Sequence, residues 1–265
     1  MNVEKIIHNN KIIGYVYIPK FKSRTGKEIL NEIVAQINPT IVGHGGFYSK
    51  KVLKEDLNRW MFPDKGKLQK ILFNRKKIID IITRNLILAS NYVKSPKPTR
   101  IFVYPYFKKP EKEFQGVYGF SPYKYCFSLY INPVKDWEKG LANTIVHEYT
   151  HSISHHYHNW EKLSDSLVFE GLAEHFREEV IGGKIAPWSN AVSKNKCKEY
   201  FKLLKNKLNR TDLHQSVFFG SKDYPSWLGY SIGYNLVGDF IVKNKISWSD
   251  LLKIKPDKII SNSKP

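Results

Sequence analysis

The sequence has few cysteines, few arginines and no long apolar run. Its two cysteines, Cys126 and Cys197, are too few for a disulfide framework and form no CxxC pair, so reduced thiols are expected. No stretch approaches the roughly 20 apolar residues that span a bilayer. Residues 1–20 also lack the apolar segment of a signal peptide. We therefore expect a cytoplasmic protein with no membrane partner.

The basic charge raises nucleic acid as a partner. The formal net charge is +19, yet only seven of the 43 basic residues are arginines. Recognition of phosphates and bases favours the bidentate guanidinium of Arg over Lys. The lysine excess indicates a solvated basic surface, and we do not expect nucleic acid as the main partner. The oligomeric state stays open.

Hydrophobic periodicity divides the chain. Apolar residues recur at helical spacing over residues 27–38 and 67–92, and Ser-Pro-Lys-Pro at 95–98 ends the second run. These features predict a mainly helical N-terminal region over residues 1–95 and a second domain over residues 96–265. With 42% hydrophobic residues, the chain can bury a substantial core.

The second domain begins with strand patterns. Residues 100–106 and 125–131 alternate with period two, and a connection rich in glycine and aromatic residues, 116–125, separates them. Helical patterns follow at roughly 138–158, 165–180, 190–208 and 227–243. The sequence therefore predicts an α+β fold, with a small mixed sheet and a mainly helical C-terminal half.

One of these helices carries a metal-binding pattern, since residues 147–151 read His-Glu-Tyr-Thr-His. Helical positions four apart differ by about 40° and about 6 Å, so His147 and His151 project from one face and can bind one ion. Glu148 lies one step round the helix, where a carboxylate can take a proton from metal-bound water. The alternative is a His-rich helix that carries this motif by chance.

A catalytic zinc ion needs three protein ligands and an open position. Glu170 fits the third place, with eighteen residues between it and His151, at the start of the segment EGLAEHF. A ligand six residues after His151 does not fit, because Tyr157 occupies that position and Ser154 replaces the glycine of the required turn. The predicted metal site is His147, His151 and Glu170, with one zinc ion per chain.

These segments resemble known metallopeptidases. HEYTH followed after eighteen residues by EGLAE is similar to the gluzincins. The segments ANTIVHEYTHSISHHY, SLVFEGLAEHF and GYSIGY resemble a bacterial family of predicted zinc-dependent proteases. The resemblance covers roughly residues 116–240. It implies a zincin-like domain whose sheet packs on the HExxH helix, with zinc as the cofactor.

The resemblance also implies roles for single residues. Glu148 is the general base, and Glu174 matches the gluzincin acidic residue that supports a zinc-bound histidine. Gluzincins take the donor that stabilises the oxyanion from downstream of the third ligand. Here Tyr230 is the first choice, Tyr234 the alternative and His214 a lesser one.

The predicted function is hydrolysis of peptide bonds by a zinc metallopeptidase. Gluzincin aminopeptidases carry an acidic residue that holds the substrate amine, whereas Gly116 to Phe120 contain none, so an endopeptidase is expected. The strand at 125–131 is expected to pair with an extended substrate. The alternatives are hydrolysis of a non-peptide amide, metal binding without turnover, and nucleic-acid binding with an accidental HExxH motif.

Overall fold

The computed structural model describes residues 2–23, 25–42, 49–64, 68, 71 and 73–263. The chain forms two compact units, Met1–Ser152 and Ile153–Pro265. Strands and helices occur together in a mixed architecture, which confirms the predicted α+β class. No helix in the described ranges is long and apolar enough to cross a membrane.

The first unit contains a five-stranded mixed sheet in the order β1-β2-β3-β5-β4. The strands are β1 (Asn2–His8), β2 (Lys11–Ile18), β3 (Thr99–Pro105), β4 (Val117–Tyr123) and β5 (Cys126–Ile131). The central pairs β2·β3 and β3·β5 are parallel, and the outer pairs β1·β2 and β4·β5 are antiparallel.

The strands β1 and β2 form a hairpin. The sequence had predicted a mainly helical region over residues 1–95 and no hairpin there. Asn9 and Asn10 connect its strands, and both have left-handed backbone angles, with φ of 49° and 59°. Two left-handed residues in succession are typical of the type I′ turn, whose twist matches that of the paired strands. The sheet thus draws strands from both sides of the predicted boundary at residue 95.

Helices cover the sheet. The helices of this part of the chain are α1 (Gly26–Gln36), α2 (Pro39–Val42), α3 (Lys50–Met61), α4 (Arg75–Tyr92) and α5 (Trp137–Tyr157). Buried residues of α1 and α3, such as Ile33 and Leu57, pack in one core with Phe102, Tyr104 and Tyr130 of the sheet. Along β3, Phe102 and Tyr104 are two residues apart and so point to the same face of the sheet, towards α1 and α3.

The helix α5 packs against the sheet, as expected for the HExxH helix. The backbone N–H of Tyr125 donates to the carbonyl of Ser152 on α5 at 3.0 Å. The Tyr149 hydroxyl donates to the carbonyl of Val93 at 2.7 Å and accepts from the N–H of Ser95 at 3.2 Å. The first bond ties α5 to the turn between β4 and β5, and the two bonds of Tyr149 tie it to the segment between α4 and β3.

The structure contains a strand that the sequence did not predict. The segment 116–125, expected to be a connection, contains β4, and β4 is one of the two edge strands of the described sheet. The strand at 125–131, expected to pair with substrate, is β5 and lies between β3 and β4. Because both its edges are occupied, β5 cannot accept another strand.

The second unit is helical and follows the predicted pattern. Its helices are α6 (Leu163–Ile181), α7 (Lys194–Leu204), α8 (His214–Phe219), α9 (Leu228–Lys243), α10 (Trp248–Leu251) and α11 (Pro256–Ser261). Leu167 of α6, Phe218 of α8 and Ile232 of α9 are fully buried in a shared core. The helix α6 contributes Leu163 and Leu167 to this core.

A glycine contact brings α6 and α9 unusually close. A Cβ atom added at Gly171 would lie 2.6 Å from the carbonyl carbon of Gly233. A Cβ at Gly233 would in turn overlap the carbonyl oxygen of Leu167. Gly233 of the GYSIGY segment thus lets α9 approach α6 closely, and its counterpart on α6 is Gly171.

Candidate metal centre

Two imidazoles converge on α5. The Nε2 atoms of His147 and His151 lie 2.9 Å apart, and the rings are nearly perpendicular, with an interplanar angle of 84°. Two nitrogens that each lie 2.0–2.1 Å from a tetrahedral zinc ion would be about 3.4 Å apart. A hydrogen bond between the two rings also accounts for 2.9 Å. The two histidines therefore fit either a metal ion or a hydrogen bond between their rings. A third ligand nearby would favour the metal ion.

The third group is the carboxylate of Glu170. One ligand atom from each of His147, His151 and Glu170 falls within 4.8 Å of the other two. Glu170 is only 8% exposed, in the interior of α6. Since burying a carboxylate is costly without a compensating charge, a divalent cation suits this position. Two neutral nitrogens and one anionic oxygen form a donor set that fits zinc.

Glu148 lies beside this set, buried against the sheet. It is 6% exposed, and it faces Gly119 of β4 so closely that an added Cβ there would sit 2.5 Å from the carboxyl carbon. Only glycine leaves room for the carboxylate at this point of the strand. The sequence predicted Glu148 but not Gly119. The alternation of small and aromatic residues in Val117 to Phe120 was the available signal.

Glu174 is a buried carboxylate one turn after Glu170, and only 1% of its surface is exposed. Its Oε1 accepts from the indole N–H of Trp188 at 3.0 Å, and its Oε2 accepts from Arg177 at 3.2 Å. The same guanidinium binds Glu178 at 3.1 Å. Burial excludes a solvated surface role for Glu174. Trp188 and Arg177, which hold it, were not foreseen from the sequence.

Tyr234 belongs to the same cluster. Its hydroxyl donates to Oε2 of Glu178 at 2.8 Å, and its ring stacks on His175 with centroids 4.1 Å apart. Burial, reinforced by the hydrogen bond to Glu178, raises the pKa of the Tyr234 hydroxyl. The hydroxyl is thus protonated and directed at Glu178.

Tyr230 and His214 share a different neighbour, Phe218 of α8. The half-buried Tyr230 ring meets Phe218 edge-on at 4.9 Å, and His214 stacks on it at 4.5 Å. Nδ1 of His214 lies 3.0 Å from the hydroxyl of Ser166. Burial lowers the pKa of His214, and the charge of Glu170 acts in the opposite direction.

The part of the chain that contains this site matches a known protein family. Residues 78–261 match the family described as "Predicted Zn-dependent protease (DUF2268)", and the chain belongs to this family. The match contains the three candidate ligands, Glu148 and the strands β3, β4 and β5. It begins within α4 and leaves out the hairpin β1–β2.

Two relatives come from Bacillus subtilis (strain 168), and both are described as uncharacterized proteins. The chain is 24% identical to YjfC over 164 residues, 56% of this chain and 55% of that protein. It is 28% identical to YjaZ over 130 residues, 46% of this chain and 50% of that protein. The chain thus spans about half the length of these curated relatives. No solved structure matches it.

Proposed function

We propose that the chain is a zinc-dependent endopeptidase that hydrolyses peptide bonds. The single observation that supports this most is the grouping of His147, His151 and Glu170 within 4.8 Å. Three protein ligands leave a fourth position for water or substrate, as in catalytic rather than structural zinc sites. The family description points to the same chemistry.

In the proposed mechanism, a zinc ion held by the three ligands would polarise water and the substrate carbonyl. Glu148 takes the proton of the attacking water and delivers it to the leaving amine. The carboxylate must therefore reorient during the reaction. The missing Cβ of Gly119 leaves the room that this carboxylate occupies beside β4.

The strand β4 is the proposed docking edge for the substrate. It is outermost in the described sheet and lies against Glu148 through Gly119, so an extended peptide can add to it as a further strand. The register irregularity between Phe120 and Tyr123, together with Pro122, limits this pairing to the first half of the strand. A peptide is therefore the proposed partner.

Two other side chains complete the proposal. Tyr230 donates a hydrogen bond to the oxygen on which negative charge develops, and Tyr230→Phe should lower kcat by about a hundredfold with zinc content unchanged. Glu174 adds a fixed negative charge one turn from Glu170 and so favours the bound cation. An unchanged kcat in Tyr230→Phe would exclude that tyrosine.

The test of the central proposal compares three variants by elemental analysis and by digestion of a peptide library. His147→Ala and Glu170→Ala should lose both zinc and hydrolysis, since each removes a ligand. Glu148→Gln should keep about one zinc per chain and lose hydrolysis, because the amide cannot accept the proton. His156→Ala, which removes an exposed histidine of the same helix, is the matched control.

The results separate the alternatives. Absence of zinc from wild-type protein that also fails to bind added zinc would refute the proposed cofactor. Zinc binding without cleavage of any peptide would favour a metal-binding protein without turnover. Cleavage of amides that are not peptides would change the substrate class while keeping the site.

A further inference from the structure

Three side chains of the second unit form a chain of hydrogen bonds that the proposed mechanism does not use. The indole N–H of Trp160 donates to the hydroxyl of Ser166 at 2.8 Å. The same hydroxyl lies 3.0 Å from Nδ1 of His214. Ser166 is buried on α6, with 3% of its surface exposed. Water therefore has little access to these bonds.

Counting donors limits the proton positions in this chain to two arrangements. An indole nitrogen only donates, so the oxygen of Ser166 must accept from Trp160. The single hydroxyl proton then has two possible acceptors, Nδ1 of His214 at 3.0 Å and the carbonyl of Lys162 at 3.4 Å. That carbonyl already accepts the backbone N–H of Ser166 at 3.2 Å. Donation to Nδ1, the nearer acceptor, leaves the ring proton on Nε2, whereas donation to Lys162 would leave it on Nδ1.

Aromatic packing fixes the plane of the same imidazole. His214 stacks on Phe218, one turn later on α8, with an interplanar angle of 18°. Phe219 meets the imidazole edge-on at 6.0 Å. Phe218 itself occupies space that Gly229 leaves free, because an added Cβ there would lie 2.6 Å from its ring. The ring plane of His214 is thus set by its aromatic neighbours.

The position of this relay relates it to the candidate metal ligand. Ser166 and Glu170 are four residues apart on α6 and so lie on one face, with about 5–6 Å between their Cβ atoms. A ring bound to Ser166 is therefore held next to Glu170. In its Nε2–H form, this ring offers one N–H group of fixed direction.

We propose that Trp160 and Ser166 are positioning residues that hold His214 in the Nε2–H tautomer, as a directed hydrogen-bond donor to the carbonyl oxygen of a bound peptide. The donor role rests on the proposed peptidase function. The tautomer itself does not, and it can be measured without any substrate.

The first measurement is ¹⁵N NMR of the histidine rings in the full-length, zinc-loaded protein. Wild type should show an unprotonated Nδ1 and a protonated Nε2 for His214, identified by its loss in His214→Gln. Ser166→Ala should shift this ring to a mixture of tautomers, and Ser166→Thr, which restores a hydroxyl, should return it. A wild-type ring protonated on Nδ1, or an unchanged ring in Ser166→Ala, would overturn the relay.

The matched control is Ser164→Ala. Ser164 is also buried on α6, but within the described part of the chain its hydroxyl has no hydrogen-bond partner. Ser164→Ala therefore removes a hydroxyl without breaking a relay and should leave the His214 tautomer as in wild type. A tautomer change in this control equal to that of Ser166→Ala would mean that helix packing, and not the hydroxyl, sets the ring.

The second measurement is peptide hydrolysis. Ser166→Ala should lower kcat about tenfold with KM within about twofold and zinc content unchanged, because a misdirected donor loses part of its transition-state contribution. Trp160→Phe, which keeps a ring but removes the N–H, should have a smaller effect in the same direction. A changed tautomer with wild-type kcat would refute the donor role. A wild-type protein without peptidase activity would instead refute the proposed function and leave the tautomer result standing.

Discussion

Two glycines lie next to proposed functional residues in different regions of the molecule. One makes room for a side chain, and the other makes room for the backbone of a neighbouring helix. Gly119 of β4 faces the side chain of Glu148, whereas Gly171 follows Glu170 and faces the backbone of Gly233 on α9. A side chain can rotate away from an intruding atom, but a helix backbone cannot. The first glycine therefore makes room for the proposed general base, and the second fixes the distance between two helices.

This difference predicts that adding one methyl group will damage two separate properties. At Gly171 the methyl group should affect folding stability, because α6 and α9 must move apart. At Gly119 it should affect turnover, because Glu148 must leave its place.

Gly171→Ala should lower the free energy of unfolding by about 3 kcal/mol or more, because overpacking against backbone forces the whole helix to shift. Urea denaturation followed by circular dichroism measures this. Gly238→Ala is the control on the same pair of helices, since an added Cβ there meets the side chain of His175 at 3.0 Å. Equal destabilisation by both substitutions would contradict the distinction between backbone and side-chain contacts.

Gly119→Ala should lower kcat about a hundredfold while zinc stoichiometry stays at wild-type level, since displacement of a general base removes most of its contribution. The free energy of unfolding should change by less than about 1 kcal/mol, because alanine is tolerated in a strand. Steady-state kinetics measures kcat, and elemental analysis of the same preparation measures the zinc stoichiometry. Loss of zinc, or full turnover, would show that Gly119 does not serve Glu148.

The sequence predicted the residues whose relation is local. His147 and His151 share a helix face because of the helical repeat, and Glu148 follows from the same motif. Glu170 was found by counting along the chain to the next helix. The partners of these residues are not local. Gly119 depends on which strand of the sheet lies against α5, and no spacing in the sequence encodes that choice.

The sheet shows the same limit. Asn9 and Asn10 offered a turn signal, yet the apolar runs on either side of them are short. These runs join the sheet because β1 pairs with β2 and β2 pairs with β3. The segment 116–125 read as a connection because of its glycines and Pro122. Its role as the outer strand follows from the antiparallel pairing with β5, which brings distant residues together.

Glu174→Gln tests how far the buried cluster behind Glu170 contributes to the cation. We expect zinc affinity to fall about tenfold, because the amide keeps the shape but removes the negative charge. Competition with a zinc chelator of known affinity measures it. Glu178→Gln is the matched control, since Glu178 binds the same guanidinium of Arg177. An equal loss of affinity in both variants would assign the effect to Arg177.

Tyr234→Phe should have the smallest effect. The hydroxyl of Tyr234 donates to Glu178, and its ring stacks on His175, so its contacts support the pairing of α6 with α9. Removing one hydroxyl that donates to a carboxylate should cost about 1–2 kcal/mol of stability. Turnover should stay within about twofold of wild type, in contrast to Tyr230→Phe. If instead Tyr234→Phe lost a hundredfold in kcat at wild-type stability, the hydroxyl would have to leave Glu178 during the reaction, and the role proposed for Tyr230 would pass to Tyr234.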